Sequence, residues 1–121
     1  MTSAGFRRIA LALDGVIESA HMGHPDFRVN GRIFATLKAD HQYGMVVLTP
    51  EQQAVLVQSH PAAFAPESGA WGRSGCTRVA LKAVNEEVLG EALTLAWQRT
   101  TNVPPPPRSR AKKPARKQRD E

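Results

Sequence analysis

Four arginines lie beside two predicted turns, and arginine is the side chain best suited to grip phosphate oxygens. They are Arg28, Arg32, Arg73 and Arg78. The guanidinium group presents a planar fork of N–H donors that matches a pair of phosphate oxygens. Contacts of this kind fix a protein on nucleic acid without reading base sequence. The pattern therefore predicts a non-enzymatic anion-binding surface, with nucleic-acid phosphates as the first candidate partner.

An alternative interpretation treats the same arginines as solvated side chains paired with acids such as Asp26 or Glu67. Residues 1–101 hold nine basic and nine acidic residues, so acids are available to every arginine of this part. A second function of another class also stays open, in which the surface docks an acidic partner protein. A nucleic-acid titration over a salt series separates these hypotheses, because phosphate binding weakens steeply as salt rises.

Arg28 and Arg32 belong to a predicted β-hairpin over residues 25–37, with its turn at Asn30-Gly31. A two-residue loop would pair Val29 with Arg32 and scatter apolar residues over both faces. We favour a three-residue loop with Gly31 in the left-handed conformation, which pairs Arg28 with Arg32. The predicted core face is Phe27, Ile33, Ala35 and Leu37. The predicted outer face is Asp26, Arg28, Arg32, Phe34 and Thr36.

Arg73 and Arg78 lie in a segment that repeats this theme. Residues 71–81 place two short runs around Ser74-Gly75, which predicts a second hairpin. Both hairpins would then present arginines beside their turns. Trp71 could stack on a base or another ligand, whereas Trp97 fits the core.

The remaining pattern predicts an α+β domain with an antiparallel sheet and helices on one face. Helices are predicted after Ser3, after Thr49-Pro50 as far as about Ser59, and after Asn85, each from capping residues followed by apolar periodicity. Strands are predicted at 16–21 and 43–48, with a short edge strand near Phe64.

The basic excess lies in the C-terminal segment. Residues 102–121 hold seven basic and two acidic residues, a net charge of +5, whereas residues 1–101 are neutral. We predict a folded domain over 1–101 and a disordered, Pro-rich basic tail over 102–121. The tail cations would attract nucleic-acid phosphates, or else serve solubility or targeting. They are Arg108, Arg110, Lys112, Lys113, Arg116, Lys117 and Arg119.

Several quoted features resemble the MmcQ/YjbR family over roughly residues 4–100. They are the early helix, the Phe27–Ala35 hairpin, the Thr49-Pro50-Glu51 helix start and the Trp71–Gly75 turn before a final helix. The resemblance implies a fold like that of CyaY and frataxin, with two hairpin wings at residues 26–37 and 71–81. Members of this family are described as double-wing DNA-binding proteins, which agrees with the anion surface inferred from the arginines.

Other reactive side chains lack the partners that chemistry requires. Cys76 follows a Ser-Gly turn between two arginines, but no His or acid is tied to it by a motif, so we expect a structural residue. His21 and His24 lie around Gly23 without the helical geometry that would let them converge on a metal. We expect no cofactor, no metal and no enzymatic activity. The single cysteine, the lack of a secretory signal and the lack of a long apolar run predict a cytoplasmic protein.

Overall fold

The computed structural model describes residues 1–21 and 23–102, with the side chain of His21 excepted. Within them it has four helices and six strands in an α+β arrangement, which confirms the predicted fold class. The elements are α1 (Ser3–Leu11), β1 (Ile17–His21), β2 (His24–Val29), β3 (Arg32–Leu37), β4 (Tyr43–Val47), α2 (Pro50–Ser59), β5 (Phe64–Pro66), α3 (Gly69–Arg73), β6 (Cys76–Ala80) and α4 (Glu86–Asn102).

The six strands form one antiparallel sheet in the order β1-β2-β3-β4-β6-β5. The predicted edge strand near Phe64 is β5, at one side of the sheet. One row of cross-strand neighbours runs Asp26, Thr36, Met45, Arg78 and Ala65. Because side chains alternate between the faces of a strand, this row lies on one face, which we call the open face.

The opposite face carries the core. Phe27, Ala35, Leu37, Val46 and Val79 are buried there. Helix α4 packs across β2, β3 and β4, α1 packs on α4, and α2 packs against β5. Phe6 of α1 meets Phe27 with ring centroids 5.8 Å apart.

Capping explains where the helices begin. The Thr49 side chain accepts a hydrogen bond from Gln52 N, and the Gln52 side chain accepts one from Thr49 N, which completes the predicted capping box of α2. Asn85 Oδ1 accepts from Val88 N at 2.8 Å at the start of α4. The first helix differs from the prediction by one residue, because Thr2 rather than Ser3 caps it.

The hairpin exists, but its predicted register is wrong. Asn30 and Gly31 have φ of 54° and 77°, so both adopt the left-handed conformation of a two-residue type I′ turn. Val29 therefore pairs with Arg32, and Arg28 pairs with Ile33 rather than with Arg32.

A bulge in β3 then restores the apolar pattern. Phe27 pairs with Ala35, which leaves Phe34 as the extra residue of β3. Phe34 is consequently fully buried, whereas Ile33 is 37% exposed, the reverse of the predicted faces for both residues. Phe27, Ala35 and Leu37 are in the core as predicted.

The second predicted hairpin is absent from this region of the structure. Gly69–Arg73 forms the short helix α3, and only residues 76–80 are extended, as an interior strand. Ser74 has helical backbone angles and Gly75 has φ of +115°. The Ser-Gly pair thus ends a helix instead of joining two strands.

The hairpin turn and Gly75 lie at the same end of the sheet, which we call the hairpin end. Strand β4 runs toward this end, since Ala35 pairs with Val46 and Leu37 with Gly44. Leu48, just beyond β4, donates its N–H to Gly75 O at 3.1 Å. No helix in the described part of the chain is long and apolar enough to cross a lipid bilayer.

Candidate functional site

Arg28 is engaged by an acid of its own strand. Its Nε donates to Asp26 Oδ1 at 2.8 Å and its Nη2 donates to Asp26 Oδ2 at 3.1 Å, a two-pronged ion pair on the open face. Asp26 is 1% exposed, so the guanidinium supplies the partner that this buried carboxylate needs. The hydrogen bond and charge of Asp26 raise the pKa of Arg28.

Arg78 also pairs with an acid, Glu67, and the same acid pairs with a second cation, Lys38. Its Nε lies 3.7 Å from Glu67 Oε1, and Lys38 Nζ lies 3.0 Å from Glu67 Oε2. The Arg78 guanidinium also lies 6.0 Å from the ring centroid of Tyr43. The alternative predicted from the sequence, that Asp26 and Glu67 pair with arginines, is therefore confirmed for Arg28 and Arg78.

Arg32 and Arg73 lie at the hairpin end, away from the centre of the sheet. Arg32 is the first residue of β3 and is half-buried. Arg73 is the last residue of α3 and is exposed, with Gly75 close behind it. The four predicted arginines therefore do not form one surface: Arg28 and Arg78 lie on the open face, and Arg32 and Arg73 lie at the hairpin end.

Helix α4 runs from the opposite end of the sheet to the hairpin end. At its start Glu86 pairs with Arg8 at 3.6 Å. Toward its C-terminus, Trp97 Nε1 donates to Asp14 O at 2.9 Å. Gly15, which follows Asp14 in the chain, lies beside Val29: a Cβ added to Gly15 would be 3.7 Å from Val29 Cγ2. The C-terminal half of α4 thus lies near the hairpin turn.

The open face holds a groove built from neighbouring cavities, which we call the sheet groove. A cavity of about 230 Å³ is lined by Thr36, Lys38, Met45, Glu67, Ser68, Trp71 and Cys76. A second of about 320 Å³ is lined by Lys38, Asp40, Tyr43, Glu67 and Arg78. Lys38 and Glu67 line both cavities, so the Lys38–Glu67 ion pair stands at their junction. Trp71 is 73% exposed at the rim, whereas Trp97 is half-buried against the core.

Cys76 lines the sheet groove but is not activated. Burial, and then the negative charge of Glu67, raise the pKa of its thiol, and Arg99 lowers it only as the third contribution. The nucleophile in cysteine chemistry is the thiolate, which a raised pKa disfavours. No group of three or more His, Cys, Asp and Glu side chains that could hold a metal occurs among residues 1–21 and 23–102.

Two side chains of this region escaped sequence reasoning. Lys38 belongs to no motif of the sequence, and its partner Glu67 lies far along the chain, just beyond β5. Gln53 is buried, and its Nε2 donates to Gly72 O, Cys76 O and Thr77 Oγ1, which fixes the start of β6. Its position in the capping region of α2 gave no signal for this role. The seven predicted tail cations, from Arg108 to Arg119, lie outside the described residues, so their assignment stays a prediction.

The fold and site define a small single-sheet α+β domain with cations at one end and an ion-paired groove on its open face. Residues 11–99 match the family model YjbR, and the chain therefore belongs to the YjbR family. This confirms the resemblance drawn from the hairpin and the Trp71–Gly75 segment.

A solved structure shows the same fold. The crystal structure of Deinococcus radiodurans protein DR2400, which carries the family-model domain DUF419, is similar with a TM-score of 0.69 and 24% sequence identity. The similarity covers 79% of this chain and 75% of that one. A search of curated proteins found no match.

Proposed function

We propose that this protein binds nucleic acid, DNA in the first place, without catalysing a reaction on it. Its contacts would be to phosphates, made by cations at the hairpin end and by the basic segment that follows Asn102. The observation that carries this proposal is the course of α4, which brings the start of that segment to the end of the sheet where Arg32 and Arg73 lie.

The charge distribution supports this arrangement over binding on the open face. Arg99, in the last turn of α4, adds a further cation near the hairpin end. Residues 102–121 contribute a net charge of +5, and 1–101 contribute none. Counterion release makes such a cluster bind polyanions whatever their base sequence.

In this proposal Arg28 and Arg78 contribute less to phosphate binding than the cations at the hairpin end. Each already has a carboxylate partner, so a phosphate would have to displace Asp26 or Glu67 before gaining the guanidinium. The double-wing arrangement is accordingly reduced to one wing, the β2–β3 hairpin, with α3 in place of the other.

A salt series on the full chain tests the tail. Each phosphate neutralised on duplex DNA adds about −0.9 to the slope of log affinity against log salt. Replacing the seven tail Lys and Arg residues by Gln should flatten that slope by roughly 3–6, which corresponds to loss of most of the tail contacts. A matched control that scrambles residues 108–119 keeps the charge and should keep the slope. Equal slopes for the neutralised and parent chains would remove the tail from the proposal.

A pair of single variants tests the position of the surface. Arg73→Gln should weaken binding and reduce the salt slope by about 0.9, the amount for one lost phosphate contact. Arg78→Gln is the matched control, since it removes the same charge from an arginine that Glu67 already holds. A larger loss for Arg78→Gln than for Arg73→Gln would move the site to the open face. Affinity only for acidic proteins, insensitive to tail scrambling, would favour the protein-docking alternative.

A further inference from the structure

The two edges of the sheet differ in how well they are protected. At one edge, β5 is three residues long and ends in Pro66, and α2 packs against it. Short strands, prolines and covering helices keep a sheet edge from pairing with another chain. At the other edge, β1 is five residues long, contains no proline or lysine, and pairs with β2 residue by residue over its whole length. The β1 edge therefore lacks the protection that the β5 edge has.

The edge strand β1 is also accessible from outside the domain. Residues 17–20 are all exposed, and Ile17 is 62% exposed. Among residues 1–21 and 23–102, the backbone of β1 has hydrogen-bond partners in β2 and in no other element. An edge strand directs a row of N–H and C=O groups away from its one neighbour. In β1 this row is open to a further strand.

The side chains around this edge favour contact with another chain. The one charged residue described in β1, Glu18, accepts hydrogen bonds from Arg7 Nε of α1 at 2.9 and 3.0 Å, so its charge is balanced within the domain. Leu11 lies one turn beyond Arg7 on the same side of α1 and is 40% exposed. Ile17 lies on the open face, because it pairs with Arg28. An exposed apolar side chain therefore lies on each side of the sheet at this edge.

We propose that β1 pairs antiparallel with β1 of a second copy of this chain. The two copies are related by a two-fold axis perpendicular to the sheet, so that their six-stranded sheets join into one and their open faces become continuous. Backbone hydrogen bonds between the two edge strands hold the copies together, and Ile17 and Leu11 add apolar contacts. The hairpin ends of the two copies then point in opposite directions. This pairing does not rest on the proposed nucleic-acid binding.

The sequence of β1 is complementary to a copy of itself in one register. A two-fold axis at Ser19 places Ser19 opposite its own copy, Glu18 opposite Ala20 of the second copy, and Ile17 opposite His21 of the second copy. All five residues of each strand are then paired. An axis at Glu18 or at Ala20 would pair fewer of them, and an axis at Glu18 would also set two carboxylates directly opposite each other, which is unfavourable. This self-complementarity identifies a second copy as the partner.

The first test is sedimentation of the full chain over a concentration series. The parent should form a dimer that dissociates on dilution, because one strand pair makes a small interface. Ser19→Lys sets two positive charges opposite each other at the axis and should weaken association at least about tenfold. Ser59→Lys, at the exposed end of α2, is the matched control and should leave association unchanged. A parent that stays monomeric at millimolar concentration would leave β1 to a strand of another protein and overturn the proposal, as would equal association of Ser19→Lys and the parent.

The second test measures the register by cross-linking. Cys76→Ala removes the one native thiol. In that background Ser19→Cys places a cysteine opposite its own copy, with Cα atoms about 4.5–5.5 Å apart, within the range of a disulfide. Ala20→Cys is the control, because its two copies are diagonal neighbours roughly 7–8 Å apart, beyond that range. Under mild oxidation Ser19→Cys should form the covalent dimer at least about tenfold faster. Equal or faster cross-linking of Ala20→Cys would overturn the proposal.

Discussion

The β2–β3 hairpin and the α3–β6 segment look alike in sequence and fold differently. Each has a Gly-containing turn with an arginine on either side. In the hairpin, Asn30 and Gly31 are both left-handed, which reverses the chain between two paired strands. At the Ser74-Gly75 turn of the other segment only Gly75 has positive φ, and Ser74 caps the end of helix α3. One glycine after a helical residue caps a helix, whereas an Asn-Gly pair makes a hairpin.

The two regions also differ in how tightly their glycines are packed. A Cβ at Gly31 would meet no atom within 4 Å, whereas a Cβ at Gly75 would lie 1.8 Å from Leu48 O. The hairpin turn therefore projects from the domain, and the α3–β6 turn is built into it. Only the hairpin turn, with open space around Gly31, projects as a wing would.

The largest expected effect separates two neighbouring residues of the hairpin. Phe34→Ala should lower the free energy of unfolding by about 3–5 kcal/mol, the cost of emptying a core position of that size. Ile33→Ala is the matched control and should cost under about 1 kcal/mol, since Ile33 is partly exposed on the open face. Urea denaturation measures both. Comparable costs for the two variants would instead indicate the predicted three-residue loop, without a bulge at Phe34.

The next effect compares the two turns directly. Gly75→Ala should destabilise by about 3 kcal/mol, because positive φ adds to a collision with the backbone of Leu48. Gly31→Ala has positive φ but open space around it and should cost about 1 kcal/mol. Thermal unfolding of the two variants gives the comparison. A smaller cost at Gly75 than at Gly31 would mean that the α3–β6 turn is not packed as described.

A glutamine pair tests what fixes the α3–β6 turn. Gln53→Ala removes the three buried hydrogen bonds that Gln53 Nε2 donates to the start of β6 and the end of α3, so we expect a loss of about 1–3 kcal/mol. Gln58→Ala, in the same helix but exposed, should change stability by less than about 0.5 kcal/mol. Equal effects in denaturation would show that Gln53 contributes only helix propensity.

The smallest expected effect concerns the reactivity of Cys76, which lies in the α3–β6 segment. Its pKa lies above the ordinary value of a thiol because of burial and the charge of Glu67. The thiolate is therefore scarcer than in free cysteine at neutral pH, and alkylation by iodoacetamide should accelerate only at more alkaline pH. Glu67→Gln should shift that rate profile toward lower pH, since it removes a negative charge that opposes ionisation. A shift toward higher pH would contradict the assigned cause.

Local signals predicted α1, α2 and α4 but not the short helix α3, and long-range pairing decided the strand features that they missed. Thr49-Pro50 with Gln52 specified the start of α2, because the capping box involves only neighbours in sequence. The bulge at Phe34 depends on how β3 fits β2 and the helices above it, which alternation of residue types does not encode. The same applies to Lys38 and Glu67, which meet only after β3 and β5 join one sheet.

The candidate surfaces show the same difference between what local sequence signals predict and what long-range pairing decides. The sequence identified the four candidate arginines beside the predicted turns and the acids Asp26 and Glu67, but not which arginine each acid would hold. Arg28 finds Asp26 two residues away on the same face of one strand, a pairing that strand alternation allows. Arg78 finds Glu67 on an adjacent strand edge, which required the sheet order β6-β5.

The bulge at Phe34 divides the hairpin into two stretches of different register. On the turn side of the bulge, Val29 faces Arg32, and on the other side Phe27 faces Ala35 over the core. The turn side can therefore vary in loop length or composition over evolution without moving the residues that α4 covers. An insertion at Asn30-Gly31 would therefore change the reach of the hairpin and leave the hydrophobic face in place.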